Sequence, residues 1–125
     1  MILYVARMYL TESDQATMPA APADAPANVI VLEAIVRRRC LSATYNRSTI
    51  VVAPHILYTR NGELYVDAVT VSRNLVMARE PKLGTFKLSG LSNLRVTGRD
   101  FEPSDLFDRA ADKYAGTAVM AVDPA

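Results

Sequence analysis

The chain has one cysteine, one histidine, no tryptophan and five glycines among its 125 residues. Cys40 on its own can form neither an internal disulfide nor a cysteine-rich zinc site, which favours a reducing compartment. His55 on its own excludes every multi-histidine metal centre and limits general acid–base chemistry. Five glycines and seven prolines exclude a collagen-like repeat. The apolar runs fall well short of the ~18 residues that span a bilayer, so no membrane partner is expected. No GxGxxG, P-loop, HExxH or GxSxG string occurs, and no carboxylate pair stands out, since Asp67 has no evident partner. Neither a cofactor nor an enzymatic activity is expected.

What is present is enough for one core. Half of the residues are hydrophobic, which excludes wholesale disorder, and the length suits a single domain. The net charge of +1 hides an asymmetry. Residues 1–28 set Arg7 against Glu12, Asp14 and Asp24, a balance of −2. Residues 29–99 set eleven Arg and Lys against Glu33, Glu63, Asp67 and Glu80, a balance of +7; residues 100–125 stand at −4. A basic middle between acidic ends either attracts a phosphate-bearing ligand or pairs with its own flanks. The near-zero total argues against strong non-specific binding to duplex nucleic acid.

Residues 1–10, MILYVARMYL, hold Arg7 inside the apolar run, unlike a secretory signal, and read as an arm that docks on the body or on a second subunit. Residues 11–27 contain Pro19, Pro22 and Pro26 in an Ala-rich context and read as a semi-stiff linker. The domain proper is expected over 28–116, with a tail over 117–125. A helix over 29–40 is predicted, capped by Asn28, with Val29, Leu32, Ile35 and Val36 on one stripe. Arg37, Arg38 and Arg39 fall in its last turn, where they either complement the dipole or form a nucleic-acid patch.

Short β-like runs follow: 41–46, 49–54 ending at Pro54, 55–59, 63–71, a piece at LVMA, then TFKLSG and LSNLRVTG. Asn61-Gly62 between two of them is a hairpin signal. Ser104 is expected to cap a second helix, 104–116, with Leu106, Phe107, Ala110 and Tyr114 on one stripe and Gly116 as its stop. The fold class is therefore mainly β with flanking helices: a small antiparallel barrel of about five strands, preceded by one helix and followed by a C-terminal one. TAVMAVDPA adds a last β-like or arm-like piece.

Ligand chemistry falls to aromatic and basic residues on the expected strands: Tyr45, His55, Tyr58, Tyr65, Arg73, Arg79 and Lys87. Aromatic faces interleaved with cations can stack on nucleobases and neutralise phosphates. Equally, the tyrosines can be half-buried barrel residues with hydroxyls at the rim. Cys40 and His55 could pair as nucleophile and base, but nothing in the sequence brings them together, and a small buried thiol is the commoner case.

From about Val29 to Asp108 the pattern resembles the WYL domain, a ligand-sensing module of bacterial transcription regulators. The resemblance rests on a helix ending in basic residues, a strand ending at Tyr45, then VVAPHILYTRNGELYVDA and TFKLSGL. Pro54 and His55 match a Pro-His step, Leu64-Tyr65-Val66 the Trp-Tyr-Leu triplet, and Phe86-Lys87-Leu88 a later string. It implies a five-stranded Sm-like or SH3-like barrel that binds an anionic ligand, a nucleotide or short single-stranded nucleic acid, through Tyr45, His55, Tyr65, Arg73, Arg79 and Lys87. Leu64 replaces the family's Trp and Gly90 its Arg. Only 28 residues precede the first helix, so a partner protein is expected to carry the DNA-reading function. Two expectations follow: a cytoplasmic, effector-binding regulatory module, or an oligomerisation scaffold, a homo-oligomer through residues 1–10, that has lost its ligand.

Overall fold

A computed structural model describes residues 25–124; the expected arm over 1–10 and most of the linker lie outside the described residues. Helix α1 spans Ala27–Arg37. It starts ahead of the expected Asn28 cap, because the extended Pro26 sets its carbonyl to accept from Val29 and Ile30 at 3.0 and 3.2 Å. The buried stripe is Ile30, Val31, Ala34 and Ile35, whereas Val36 is 38% exposed. The arginine triplet is divided. Arg37 closes the helix and pairs with Glu33 at 2.7 Å. Arg38 is the left-handed cap (φ 53°), and its guanidinium donates to the Asp123 and Pro124 carbonyls. Arg39 opens the next strand and pairs with Asp100 at 2.9 Å. Arg38 and Arg39 thus fasten the helix end to distant parts of the chain.

Seven strands follow: β1 Arg39–Tyr45, β2 Ser48–Arg60, β3 Glu63–Arg73, β4 Val76–Met77, β5 Leu83–Lys87, β6 Ser92–Asp100 and β7 Ala118–Ala121. They form one antiparallel sheet in the order β4-β3-β2-β1-β6, with β5 on β3 and β7 on β2. The sheet curls into a half-barrel and remains open, so a closed five-stranded barrel is not what forms. Three consecutive hairpins use two-residue turns that begin with Asn: Asn46-Arg47, Asn61-Gly62 and Asn74-Leu75. All six residues have positive φ, which matches a right-twisted hairpin and which Asn and Gly tolerate best.

Pro54 does not end a strand. β2 runs through it, because the register shift between Pro54 and Ile56 absorbs the missing N–H in a bulge. Beyond the bulge, β7 takes over from β1 as the neighbour on that side of β2.

Period-two alternation gives the sheet two faces. On one, α1 covers an aliphatic core that includes Leu41, Ala43, Ile50, Val52, Leu57, Val66, Ala68 and Phe86. On the other lie Ile56, Tyr58 and Tyr114, with Tyr65 and Phe107 packed against them.

The expected helix over 104–116 does not form. The segment is a series of turns ending in a 3-10 turn, Asp112–Tyr114. Ser104 Oγ accepts from the Leu106 N–H and Asp108 Oδ1 from the Ala110 N–H, at 3.1 and 2.9 Å. Such side chains compete with the backbone ladder and restart the turn rather than extend it. Leu106 is exposed and Tyr114 buried, so the expected stripe does not face one way.

Candidate functional site: an aromatic and cationic face around Asp67

Asp67 sits on β3 between Val66 and Ala68, which face the aliphatic core, so its own side chain points to the opposite face. It is 1% exposed. Burial of a carboxylate demands partners, and four converge on it. Tyr58 and Thr85 hydroxyls donate to Oδ1, each at 2.8 Å. The Tyr114 hydroxyl donates to Oδ2, and the Lys113 ammonium pairs with Oδ2 at 2.9 Å. Burial pushes against the charged form, but donation from Lys113, Tyr114, Thr85 and Tyr58 wins and holds Asp67 below its ordinary range.

The same geometry sets the neighbours. Burial, then the hydrogen bond to Asp67, pushes Tyr114 and Tyr58 above the usual phenol range, so neither is a base near neutral pH. Burial opposes the charge on Lys113, yet its bond to Asp67 outweighs this and holds the ammonium protonated above its ordinary value. The Lys113 Nζ also lies 5.5 and 5.4 Å from the Tyr58 and Tyr114 ring centres. What this arrangement can do chemically is hold charge and present rings; it offers no free nucleophile.

The aromatic array continues to the hairpin. Tyr58 stacks on its cross-strand partner Tyr65, centroids 6.0 Å apart. The Arg60 guanidinium lies 4.5 Å above the Tyr65 ring. Lys87 is directly opposite Tyr65 on β5 and pairs with Glu63 at 2.9 Å.

The six residues singled out in the sequence do not form one site. Tyr65 and Lys87 are brought together on this face. Arg73 and Arg79 line a separate shallow depression with Thr70, Ala78, Glu80 and Lys82, whose near end at Thr70 is five residues along β3 from Tyr65, or about 16 Å. Among the described residues, Arg73, Arg79 and Lys82 have no ion-pair partner. Tyr45 packs edge-on against Phe86, centroids 5.2 Å apart, beside the aliphatic core.

His55 is fully enclosed. Its Nδ1 bonds the Ala53 carbonyl at 2.8 Å, and its Nε2 accepts from the Ser104 N–H at 2.9 Å. Phe101 and Phe107 flank the ring. A surface ligand meets neither nitrogen, and neither nitrogen reaches Cys40, which is itself buried on β1. Burial holds His55 below its ordinary pKa, consistent with a ring whose Nε2 must stay an acceptor.

Sequence reasoning passed over Asp67, Arg60, Lys82 and Lys113. A lone acid inside the apolar stretch of β3 was the available signal, because a strand buried on both sides admits a charge only with partners. Among the described residues no group of three or more His, Cys, Asp or Glu is placed to hold a metal, and no helix is long and apolar enough to cross a membrane. No family model, curated protein or solved structure matches the chain.

Proposed function

We propose that this chain is a non-enzymatic ligand-binding module, a divergent relative of the WYL domains, that holds a short single-stranded nucleic acid. The half-barrel is read as an opened version of the Sm-like or SH3-like barrel. The observation that carries the proposal is the stack Tyr58–Tyr65–Arg60, with Lys87 beside it. Arg60 is exposed and offers the next plane of that stack to a base. Phosphates are taken by Arg73, Arg79 and Lys82, the unpaired cations of the second patch. Because about 16 Å of β3 separates Tyr65 from the near end of the second patch at Thr70, an oligonucleotide of several bases suits the two better than a mononucleotide. His55 and Tyr45 drop out of the contact set, since one is enclosed and the other packs on Phe86. In this reading the module is cytoplasmic and regulatory, and acts through a partner that carries the DNA-reading function.

The alternative is a scaffold that has lost its ligand. It is favoured by the neutralisation of Lys87 and Lys113 by Glu63 and Asp67, and by the exposed apolar Leu75, Val76 and Met77.

Fluorescence anisotropy at low salt, with a labelled ten-base oligothymidylate and a labelled mononucleotide, separates the two. The oligomer should bind far more tightly than the monomer. Arg60→Ala should weaken it about 5- to 150-fold, the loss of ~1–3 kcal/mol of stacking. Arg73→Ala should reduce the salt slope by ~0.7. Equal affinities for monomer and oligomer would rule out the two-patch arrangement; no binding of either would favour the scaffold.

A further inference from the structure

The β3–β4 hairpin is the most exposed apolar feature among the described residues. Leu75 is 90%, Val76 70% and Met77 54% exposed. β4 is also an edge of the sheet, since it pairs only with β3. An apolar edge of this kind is normally covered or charged. Beside it stand Arg73, Arg79 and Lys82, with Glu80 as the only acid of that depression. A suitable occupant is therefore an apolar segment followed closely by acids.

Residues 1–14 have that composition: MILYVARMYL, then Glu12 and Asp14. We propose that residues 1–14 of the same chain dock on the β3–β4 hairpin, the apolar part on Leu75, Val76 and Met77, and Glu12 and Asp14 on Arg73, Arg79 and Lys82. The reach is sufficient. The described chain begins at Ala25, which lines a depression with Asn93 and Leu94 beside β6. Paired positions run straight across the sheet from there: Arg95 to Ser42, Ser42 to Val51, Val51 to Ser72, Ser72 to Met77. Those four strand steps amount to about 19 Å at ~4.8 Å each. The ten residues 15–24, rich in Ala and Pro, extend to about 31 Å at ~3.1 Å each.

The docking has a functional consequence, and that consequence rests on the reading above. Glu12 and Asp14 then occupy the cations assigned to phosphate, so the segment and the nucleic acid compete.

The experiment is paramagnetic relaxation in the full chain, with a nitroxide on Ser13→Cys; Cys40 is buried and leaves the introduced thiol as the labelling site. Amides of residues 73–79 should broaden, and the broadening should be absent when unlabelled nitroxide chains are mixed with isotope-labelled chains that lack the nitroxide. Glu12→Gln with Asp14→Asn should abolish the broadening and raise oligothymidylate affinity severalfold. No broadening at 73–79 overturns the docking, broadening that also appears in the mixed sample overturns its placement on the same chain, and broadening that survives the double substitution overturns the charge pairing. The relaxation readout needs no ligand, so it fails or succeeds independently of nucleic-acid binding.

Discussion

The two faces of the sheet solve burial in different ways. Under α1, the core is built from interchangeable aliphatic side chains whose attraction is non-directional. On the opposite face a single carboxylate, Asp67, organises two tyrosine hydroxyls, a threonine and a lysine, and thereby anchors a segment without regular secondary structure. The first face tolerates imprecision. The second does not, because each polar group satisfied there would cost free energy if left alone.

Substitution should expose the contrast most strongly at Asp67. Asp67→Ala leaves the buried Tyr58 and Tyr114 hydroxyls and Lys113 without their acceptor, and should destabilise the chain by about 3–5 kcal/mol in urea unfolding. Asp67→Asn should still cost about 2 kcal/mol, since an amide brings donors towards donors. By comparison Leu41→Met, a similar-sized change at a fully buried position under α1, should cost less than ~1.5 kcal/mol. Equal losses for Asp67→Asn and Leu41→Met would erase the distinction between the faces.

Acid should separate the faces next. His55 is held below its ordinary 6.5, so the unfolded state binds more protons as pH falls through that value, and stability declines from there towards the folded-state pKa. Asp67 is held below its ordinary 3.8, so its contribution is present above that value and is lost as pH falls through the lower folded-state pKa. Both groups lie on the side of residues 101–117. Hydrogen exchange from pH 7 down to about 2, a range that takes in His55 first and Asp67 afterwards, should therefore show loss of protection at Phe107 and Tyr114 before Ile35 or Leu41. Simultaneous loss everywhere would mean that the two faces open as one unit.

The smallest expected effect lies outside both faces. Leu75 has φ 68° and is almost wholly exposed, so Leu75→Gly relieves left-handed strain at little loss of packing. Once Glu12→Gln with Asp14→Asn has released residues 1–14, Leu75→Gly should raise stability by about 0.5–1 kcal/mol and leave the pH dependence unchanged. With Glu12 and Asp14 intact the gain should disappear, because the docked segment covers Leu75.

Much of the β architecture was legible locally. The Asn61-Gly62 hairpin forms where expected, and the Asn46 and Asn74 turns follow the same chemistry with Arg47 and Leu75 in place of glycine. Pro54 misled, because a bulge inside β2 supplies the position that a proline needs. Ser104 misled because a good cap is equally a good turn former, and repeated Ser and Asp restart turns. The candidate site was less legible. Tyr65 and Lys87 do meet, but Asp67 finds its tyrosines and threonine 9, 18 and 47 positions away.

The sequence by itself determined the strand periods, the turns and the position of α1, because alternation, Asn and Gly backbone freedom and helical spacing act within a few residues. Only the tertiary structure decided that His55 is enclosed, that Arg38 and Arg39 staple the helix end to distant residues, and that residues 104–116 form no α-helix. Those outcomes depend on the donors and acceptors that a folded sheet brings to one place: the Ser104 N–H for His55, the tail carbonyls for Arg38, and Asp67 for Tyr114.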